Sequence, residues 1–423
     1  MTKNTTKQDL DFSKKSNLVE PFTLVSCLFI ACFVYLNHRA LFFHGFPWFK
    51  LSYAATSPAS DVDQRLGFLD KCDVYDGRWV WDENYPLYQS QHCPFIDSGF
   101  RCLENGRPDG FYTKWRWQPK ACNLPRFNAT KMLEKLRNRR IAFVGDSIGR
   151  NQWESLLCML SSAIPNKDSI YEVNGSPITK HKGFLVFRFA DYNCTVEYYR
   201  VPFLVAHGSP PRGAPEAVKM TLRLDLMDRT WHRWVGADVL VFNTGHWWSH
   251  HKTTNRGCYF QQGTEVNLNM NITTAFRESI ETLLNFVHGQ VNTNKTQIYF
   301  RTYAPEHFRR GSWNTGGHCH HIKFPDFGLY PDKTEEHAEI LSRVLSKKHP
   351  QVIEMMNVTP MTFTRQDGHT SLYHFGRENE TEPPGEDCSH WCLPGVPDSW
   401  NELLYSLFLK WESLHSTPIS LLD

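Results

Sequence analysis

Two short stretches hold the residue types of nucleophilic acyl chemistry. Gly145-Asp146-Ser147 closes the apolar run Ile141-Ala142-Phe143-Val144, and Asp387-Cys388-Ser389-His390 lies near the other end of the chain. Neutral serine is a weak nucleophile. It needs a base within hydrogen-bond reach, and the base needs an acceptor that orients it. The two stretches together offer all three groups. A carboxylate and an imidazole three residues apart face one side of a helical turn, a spacing that either holds His390 beside Asp387 or exposes both to a common site. Ser147 falls where an apolar strand gives way to a helix. There the free N–H groups and the positive end of the helix dipole suit a developing oxyanion. A plain helix cap would also put a serine in that position.

Other residues compete for these parts. Asp367-Gly368-His369 is a rival acid–base pair, read here as a turn that shapes a cleft. Gly145-Asp-Ser-Ile-Gly149 fits the G-x-S-x-G elbow of α/β-hydrolases, but that fold places several strands before its serine and separates its acid from its histidine. His318-Cys-His-His321, and His246 with His250 and His251, invite a metal reading. Neither cluster has a C-x-x-C or H-E-x-x-H frame, so no metal is expected. No G-x-x-x-x-G-K-[ST] loop is present for a nucleotide. Trp247 and Trp248 follow an apolar strand, so one can stack on a sugar ring while the other packs inward.

Behind these residues the pattern is one of strands alternating with helices. Strands are expected at 140–145, 184–189, 195–205, 238–243, 297–303 and 352–356, and helices at 151–160, 274–287, 333–346 and 398–409. Such interleaving predicts an α/β fold with a parallel sheet flanked by helices, with Ser147 at the carboxyl end of its first strand. Residues 71–125 differ. Cys72, Cys93, Cys102 and Cys122 are interspersed there with Trp79, Trp81, Trp115 and Trp117, which reads as a small cysteine-stapled module.

The chain has 423 residues and a net charge of +2, with no concentrated basic face for nucleic acid. Residues 21–46 are largely apolar and follow Lys3, Lys7, Lys14 and Lys15, which predicts a signal anchor with a cytosolic tail at 1–20. A cleaved signal peptide is disfavoured because no small-residue cleavage site follows. Residues 47–70 read as a stem. Beyond the anchor lie ten of the twelve cysteines. Beyond the anchor seven sequons begin, at Asn128, Asn174, Asn193, Asn271, Asn294, Asn357 and Asn379. Both features fit an oxidising, glycosylating compartment.

Longer stretches carry a resemblance. Cys72-Asp-Val-Tyr-Asp-Gly-Arg-Trp-Val80, Tyr85-Pro-Leu-Tyr88, Gly145-Asp-Ser-Ile-Gly-Arg-Asn-Gln-Trp-Glu154, Asn243-Thr-Gly-His-Trp-Trp248, Asp367-Gly-His369 and Asp387-Cys-Ser-His-Trp-Cys-Leu-Pro-Gly395 keep their order along the chain. Their triad elements resemble SGNH/GDSL esterases. As a set they resemble the plant trichome birefringence-like family of wall-polysaccharide O-acetyltransferases. The resemblance implies an SGNH-like catalytic domain over 126–423 and a type II Golgi membrane protein. Ser147 would be nucleophile, His390 general base and Asp387 its orienter. Asn243 and Gly245 stand where the SGNH pattern has oxyanion donors, although Asn-Thr-Gly-His replaces the usual Gly-x-Asn-Asp. Arg150, one helical turn after Ser147, is an alternative donor. His246, Trp247 and Trp248 are candidates for substrate binding.

The same resemblance pairs Cys72 with Cys122, Cys93 with Cys158, Cys102 with Cys392 and Cys319 with Cys388, leaving Cys194 and Cys258 as a candidate fifth bridge. The expected reaction moves acetyl from an activated donor, acetyl-CoA being one candidate, to hydroxyls of hemicellulose or pectin. No bound cofactor is expected. The expected partners are the acceptor polysaccharide, the membrane and a membrane acetyl-donor transporter. A polysaccharide acetyl esterase and a non-catalytic wall-binding protein are the alternative readings.

Overall fold

The computed structural model describes residues 72–329, 336–347, 352–374 and 385–415. The tail, anchor and stem calls and Asn379 lie outside the described residues. No helix among the described residues is long and apolar enough to cross a membrane.

The strands, in chain order, are β1 (Gly77–Trp81), β2 (Trp115–Pro119), β3 (Arg140–Gly145), β4 (Ile170–Glu172), β5 (Phe184–Phe189), β6 (Cys194–Arg200), β7 (Val205–Gly208), β8 (Met220–Met227), β9 (Val239–Phe242), β10 (Cys258–Gln262), β11 (Glu265–Asn267), β12 (Gln297–Arg301), β13 (Glu354–Met356), β14 (His369–Ser371) and β15 (Asp387–Trp391). A seven-stranded sheet has the order β13-β12-β9-β3-β6-β5-β4. Its five strands from β13 to β6 run parallel, whereas β5 and β4 pair antiparallel at one edge. The sheet is therefore mixed rather than wholly parallel.

The central strands are apolar almost throughout because helices cover both faces. Alternate residues feed two cores. Ile141, Phe143, Val196, Tyr198, Val239 and Val241 face one, and Ala142, Val144, Tyr199, Leu240 and Phe242 face the other. The helix Ser147–Ser161 and the C-terminal helix Val396–His415 pack in the first core. The helix Ile272–Gln290 packs in the second through Phe276, Ile280, Leu283 and Val287.

Four disulfides join Cys72–Cys122, Cys93–Cys158, Cys102–Cys392 and Cys319–Cys388. Closing a loop of 290 residues, as Cys102–Cys392 does, stabilises by about 5–6 kcal/mol in chain-entropy terms. The expected fifth bridge is absent, since Cys194 and Cys258 are free thiols. Cys194 shares the core of Val196, and Cys258 lies in the opposite core, so the sheet separates them. Burial pushes their thiols up to about 12 and about 11. Alkylation should therefore leave both unlabelled in the native protein and label both after unfolding, as read by peptide mass.

The N-terminal module is bound to the catalytic part by more than disulfides. Tyr85 donates to Glu402 at 2.5 Å, and Tyr88 donates to Asp398 at 3.1 Å. Burial pushes both carboxyls up to about 7. Trp79 donates its indole N–H to the Met361 carbonyl at 2.7 Å. Of the six described sequon asparagines, Asn128, Asn174, Asn193, Asn271 and Asn294 are exposed and Asn357 is half-buried. Asn128 and Asn271 also cap helices, accepting from the backbone of Lys131 and Thr274.

Candidate active site

β3 ends at Gly145, and the next residue, Asp146, caps the helix that starts at Ser147 by accepting from Ile148 N–H at 3.0 Å. The helix begins four residues before the expected Asn151 because this cap lies directly after the strand. Ser147 is thus its first residue, with a backbone N–H that has no acceptor within the helix.

Asn243, just after β9, packs over this junction. A Cβ on Gly145 would sit 2.1 Å from Asn243 Oδ1, and one on Gly149 would sit 2.0 Å from the same atom. Both glycines are required by this close approach. Gly149→Ala should cost about 2–3 kcal/mol by overpacking and lower the apparent Tm by roughly 5 °C. Gly183, with nothing within 4 Å of an added Cβ, is the control whose alanine variant should melt like wild type.

The structure brings the two ends of the chain together. His390 Nε2 lies 2.8 Å from Ser147 Oγ, and His390 Nδ1 lies 2.7 Å from Asp387 Oδ2. The local route to this contact differs from the helical turn expected. Asp387 and His390 lie on β15, paired with β14 across a register shift. On a regular strand, residues three apart face opposite sides. Here Asp387 Oδ1 curls back to accept from Ser389 N–H and His390 N–H, both at 3.0 Å. Burial opposes the charge on Asp387, but the His390 imidazole and these two N–H groups hold its carboxyl well below the usual carboxylate range. Burial likewise opposes charging of His390, yet the Asp387 carboxylate, by charge and by hydrogen bond, raises it above its ordinary value.

Supports that sequence reasoning missed hold these groups in place. Asn151, one turn after Ser147, donates to the Trp391 carbonyl at 3.1 Å and accepts from Trp391 N–H at 2.8 Å. This clasp ties the serine helix to the residue after His390. Its only sequence signal was an amide one turn after Ser147, among the polar neighbours Glu154 and Ser155 on the same face. Phe100, from the N-terminal module, stacks on the His390 ring at 5.6 Å. Two disulfides, Cys319–Cys388 and Cys102–Cys392, grip β15 and the residue after it.

The rival pair does not reach Ser147. Asp367 is paired with Arg365 at 2.8 Å. His369 is buried, with Nδ1 2.9 Å from the His390 carbonyl and Nε2 2.7 Å from His307 Nδ1. It backs the strand rather than the cleft.

The expected oxyanion side chains are committed elsewhere. Asn243 Nδ2 donates to Asp146 Oδ1 at 2.5 Å, so it positions the cap rather than facing the cleft. Burial would raise the Asp146 carboxyl, but His246, Arg301 and Asn243 hold it well below the usual range. Arg150 is buried and pairs with Asp97 and Glu154 at 3.0 and 2.8 Å, its guanidinium over Phe100. Gly245 lies against Tyr303, off the cleft wall.

A cleft of about 380 Å³ opens over Ser147 and His390, with His246, Trp247, Lys252 and Trp313 among its walls. Trp248 is a correction to the expected substrate residues. It is buried and donates to Thr244 Oγ1 at 2.9 Å among Phe203, Phe260 and Phe276. Among the described residues, one cluster has metal-type donors, namely Cys319, Glu386 and Cys388, and its two sulfurs are joined in a disulfide.

Comparison with known proteins places this geometry. Residues 124–407 match the PC-esterase model, described as a GDSL/SGNH-like acyl-esterase family found in Pmr5 and Cas1p, and residues 70–123 match the PMR5 N-terminal domain. Protein trichome birefringence-like 9 of Arabidopsis thaliana is 50% identical over 352 residues, covering 80% of this chain and 84% of that protein. Protein trichome birefringence-like 6 from the same plant is 47% identical, with 80% and 70% covered. Protein trichome birefringence is 41% identical, with 86% and 60% covered.

Proposed function

Because the chain belongs to the trichome birefringence-like family, with a PMR5 N-terminal domain followed by a GDSL/SGNH-like acyl-esterase domain, we propose that it is an O-acetyltransferase acting on a plant cell-wall polysaccharide. The observation that carries the reading is the unbroken hydrogen-bond chain from Ser147 through His390 to Asp387.

In this reading His390 Nε2 takes the Ser147 proton as Oγ attacks the acetyl carbonyl of an activated donor. The donor's leaving group departs with that proton, and acetyl-Ser147 remains. A sugar hydroxyl then enters the cleft, gives its proton to His390 and takes the acetyl group, and His390 passes that proton to the departing Ser147 Oγ, which restores the enzyme. Asp387 fixes the imidazole tautomer and stabilises its charged form. The Ser147 N–H at the helix start faces the developing oxyanion. No bound cofactor takes part, and acetyl-CoA is one donor to test. The positively flanked apolar segment 21–46, the disulfides and the exposed sequons support a Golgi membrane protein of type II with its catalytic part in the lumen. In that setting a membrane transporter would supply the acetyl donor.

The same groups with water as acceptor make an esterase, and the family description names that activity. The two differ in which acceptor reaches the acetyl-enzyme. Purified full chain given an acetyl donor and a panel of wall oligosaccharides should yield acetylated oligosaccharide, detected by mass. Free acetate released from pre-acetylated polymer, with no transfer, would reverse the assignment.

The base must be neutral to accept a proton. Activity should therefore rise with pH through the pKa of His390, and Asp387 sets that limb above the ordinary 6.5. A kcat/KM profile whose acid limb lies below that value would contradict the pairing.

A further inference from the structure

The cleft wall beside Ser147 contains a group that the acyl-transfer chemistry does not use. Lys252 Nζ lies 4.2 Å from the centre of the Trp313 ring and 5.2 Å from that of Trp247. All three side chains line the same cleft as Ser147 and His390. The indoles are braced from outside it. Phe203 meets Trp247 edge-on at 5.7 Å, and His251 meets Trp313 at 4.4 Å. The ammonium is half-buried, and burial lowers its pKa from the usual value. Among the described residues no carboxylate lies within ion-pair distance of it. Glu306, on the same cleft wall, acts on it only from beyond ion-pair distance, and the other acids nearby leave it open. Glu386 is bound by the Cys319 and His320 N–H groups and by Ser371, and Asp387 is bound by His390.

We propose that Trp247, Lys252 and Trp313 form a subsite for a uronic-acid residue of the acceptor chain, a claim that rests on the acyl-transfer reading and narrows its acceptor to acidic polysaccharide. The indole faces match the C–H face of a pyranose ring, and the ammonium between them matches its carboxylate in a charge-assisted bond. A neutral sugar filling the same space would cover the ammonium and leave it unpaired, which is costly. A nucleotide-bearing donor such as coenzyme A presents phosphates, the same anionic chemistry, but it has no pyranose ring for the two indole walls.

The test uses the full chain carrying Ser147→Ala, so that binding is read without turnover. Its probes are tetragalacturonate and the same oligomer with its carboxyls reduced to alcohols. Calorimetry should give at least about tenfold tighter binding of the acidic oligomer. Lys252→Met should erase that ratio, weakening the acidic oligomer and tightening the reduced one, which no longer covers an unpaired ammonium, and Trp313→Ala should weaken both. Coenzyme A should not displace the oligomer. Equal binding of the two oligomers, a ratio that survives Lys252→Met, or coenzyme A binding lost in that variant would overturn the subsite. If the unaltered chain binds the acidic oligomer selectively yet transfers no acetyl, the subsite stands and the transferase reading falls.

Discussion

Replacing Ser147 with alanine should abolish acetyl transfer, with a loss in kcat of about a millionfold. The side chain contributes one hydrogen bond, to His390 Nε2. The helix cap at Asp146 and the Asn151–Trp391 clasp do not depend on it. The variant should therefore melt within a degree or so of wild type, because its defect lies in the missing oxygen and not in the fold. Ser389 also lines the cleft, but it is neither at a strand end nor against the imidazole. Its alanine variant should keep wild-type turnover within a few-fold. The comparison needs only rates of acetyl-oligosaccharide formation for three proteins. More than about 1% residual activity in Ser147→Ala would remove the acetyl-enzyme from the mechanism.

Asp387→Asn should cost about ten-thousandfold in kcat, for a reason that the geometry makes specific. An asparagine Oδ1 can still accept from Ser389 N–H and His390 N–H, so the local turn survives. Its amide nitrogen would then donate to His390 Nδ1, which the carboxylate accepts from at present. That exchange forces the proton onto Nε2, the atom that must receive one from Ser147. The variant also removes the charge that holds His390 above its ordinary pKa, so any residual activity should have its acid limb at lower pH. Rates measured across pH would separate this from unfolding, which would shift no limb. A loss under tenfold would show that the imidazole is oriented by something else.

The comparison of Asp387 with Asp367 shows where sequence reasoning ran out. Both stand two or three residues before a histidine. In one pair the histidine faces the serine, and in the other it faces His307 behind the strand. Nothing in either short pattern distinguishes a buried support from a working base, because the difference lies in which side of β14 and β15 each ring occupies. The Trp pair behaves likewise. Trp247 and Trp248 are adjacent in a turn closed by the Trp248 N–H on the Gly245 carbonyl, which sends one ring to the cleft and the other to the core, so one wall position could be foreseen but not which residue takes it. Of the cysteines, the pairings implied by family likeness are present, while Cys194 and Cys258 were joined on number alone and lie in different cores. The sheet β11-β10-β8-β7 was not foreseen. β8 reads Met-Thr-Leu-Arg-Leu-Asp-Leu-Met, whose alternation with charge is a weaker signal than the apolar run of β3.

By itself the sequence determined what depends on neighbours along the chain. The run Arg140–Gly145 had to be a buried strand because it offers no polar face, and a serine after Gly-Asp had to open a helix because Asp146 caps it. Tertiary structure alone decided that His390, 243 residues away, comes within hydrogen-bond distance of that serine. It also decided that Lys252 stands between two indoles in the same cleft. Such contacts depend on two disulfides, a side-chain clasp and the packing of two cores across one sheet. Their energies are summed over residues distant in sequence, and no local pattern records that sum.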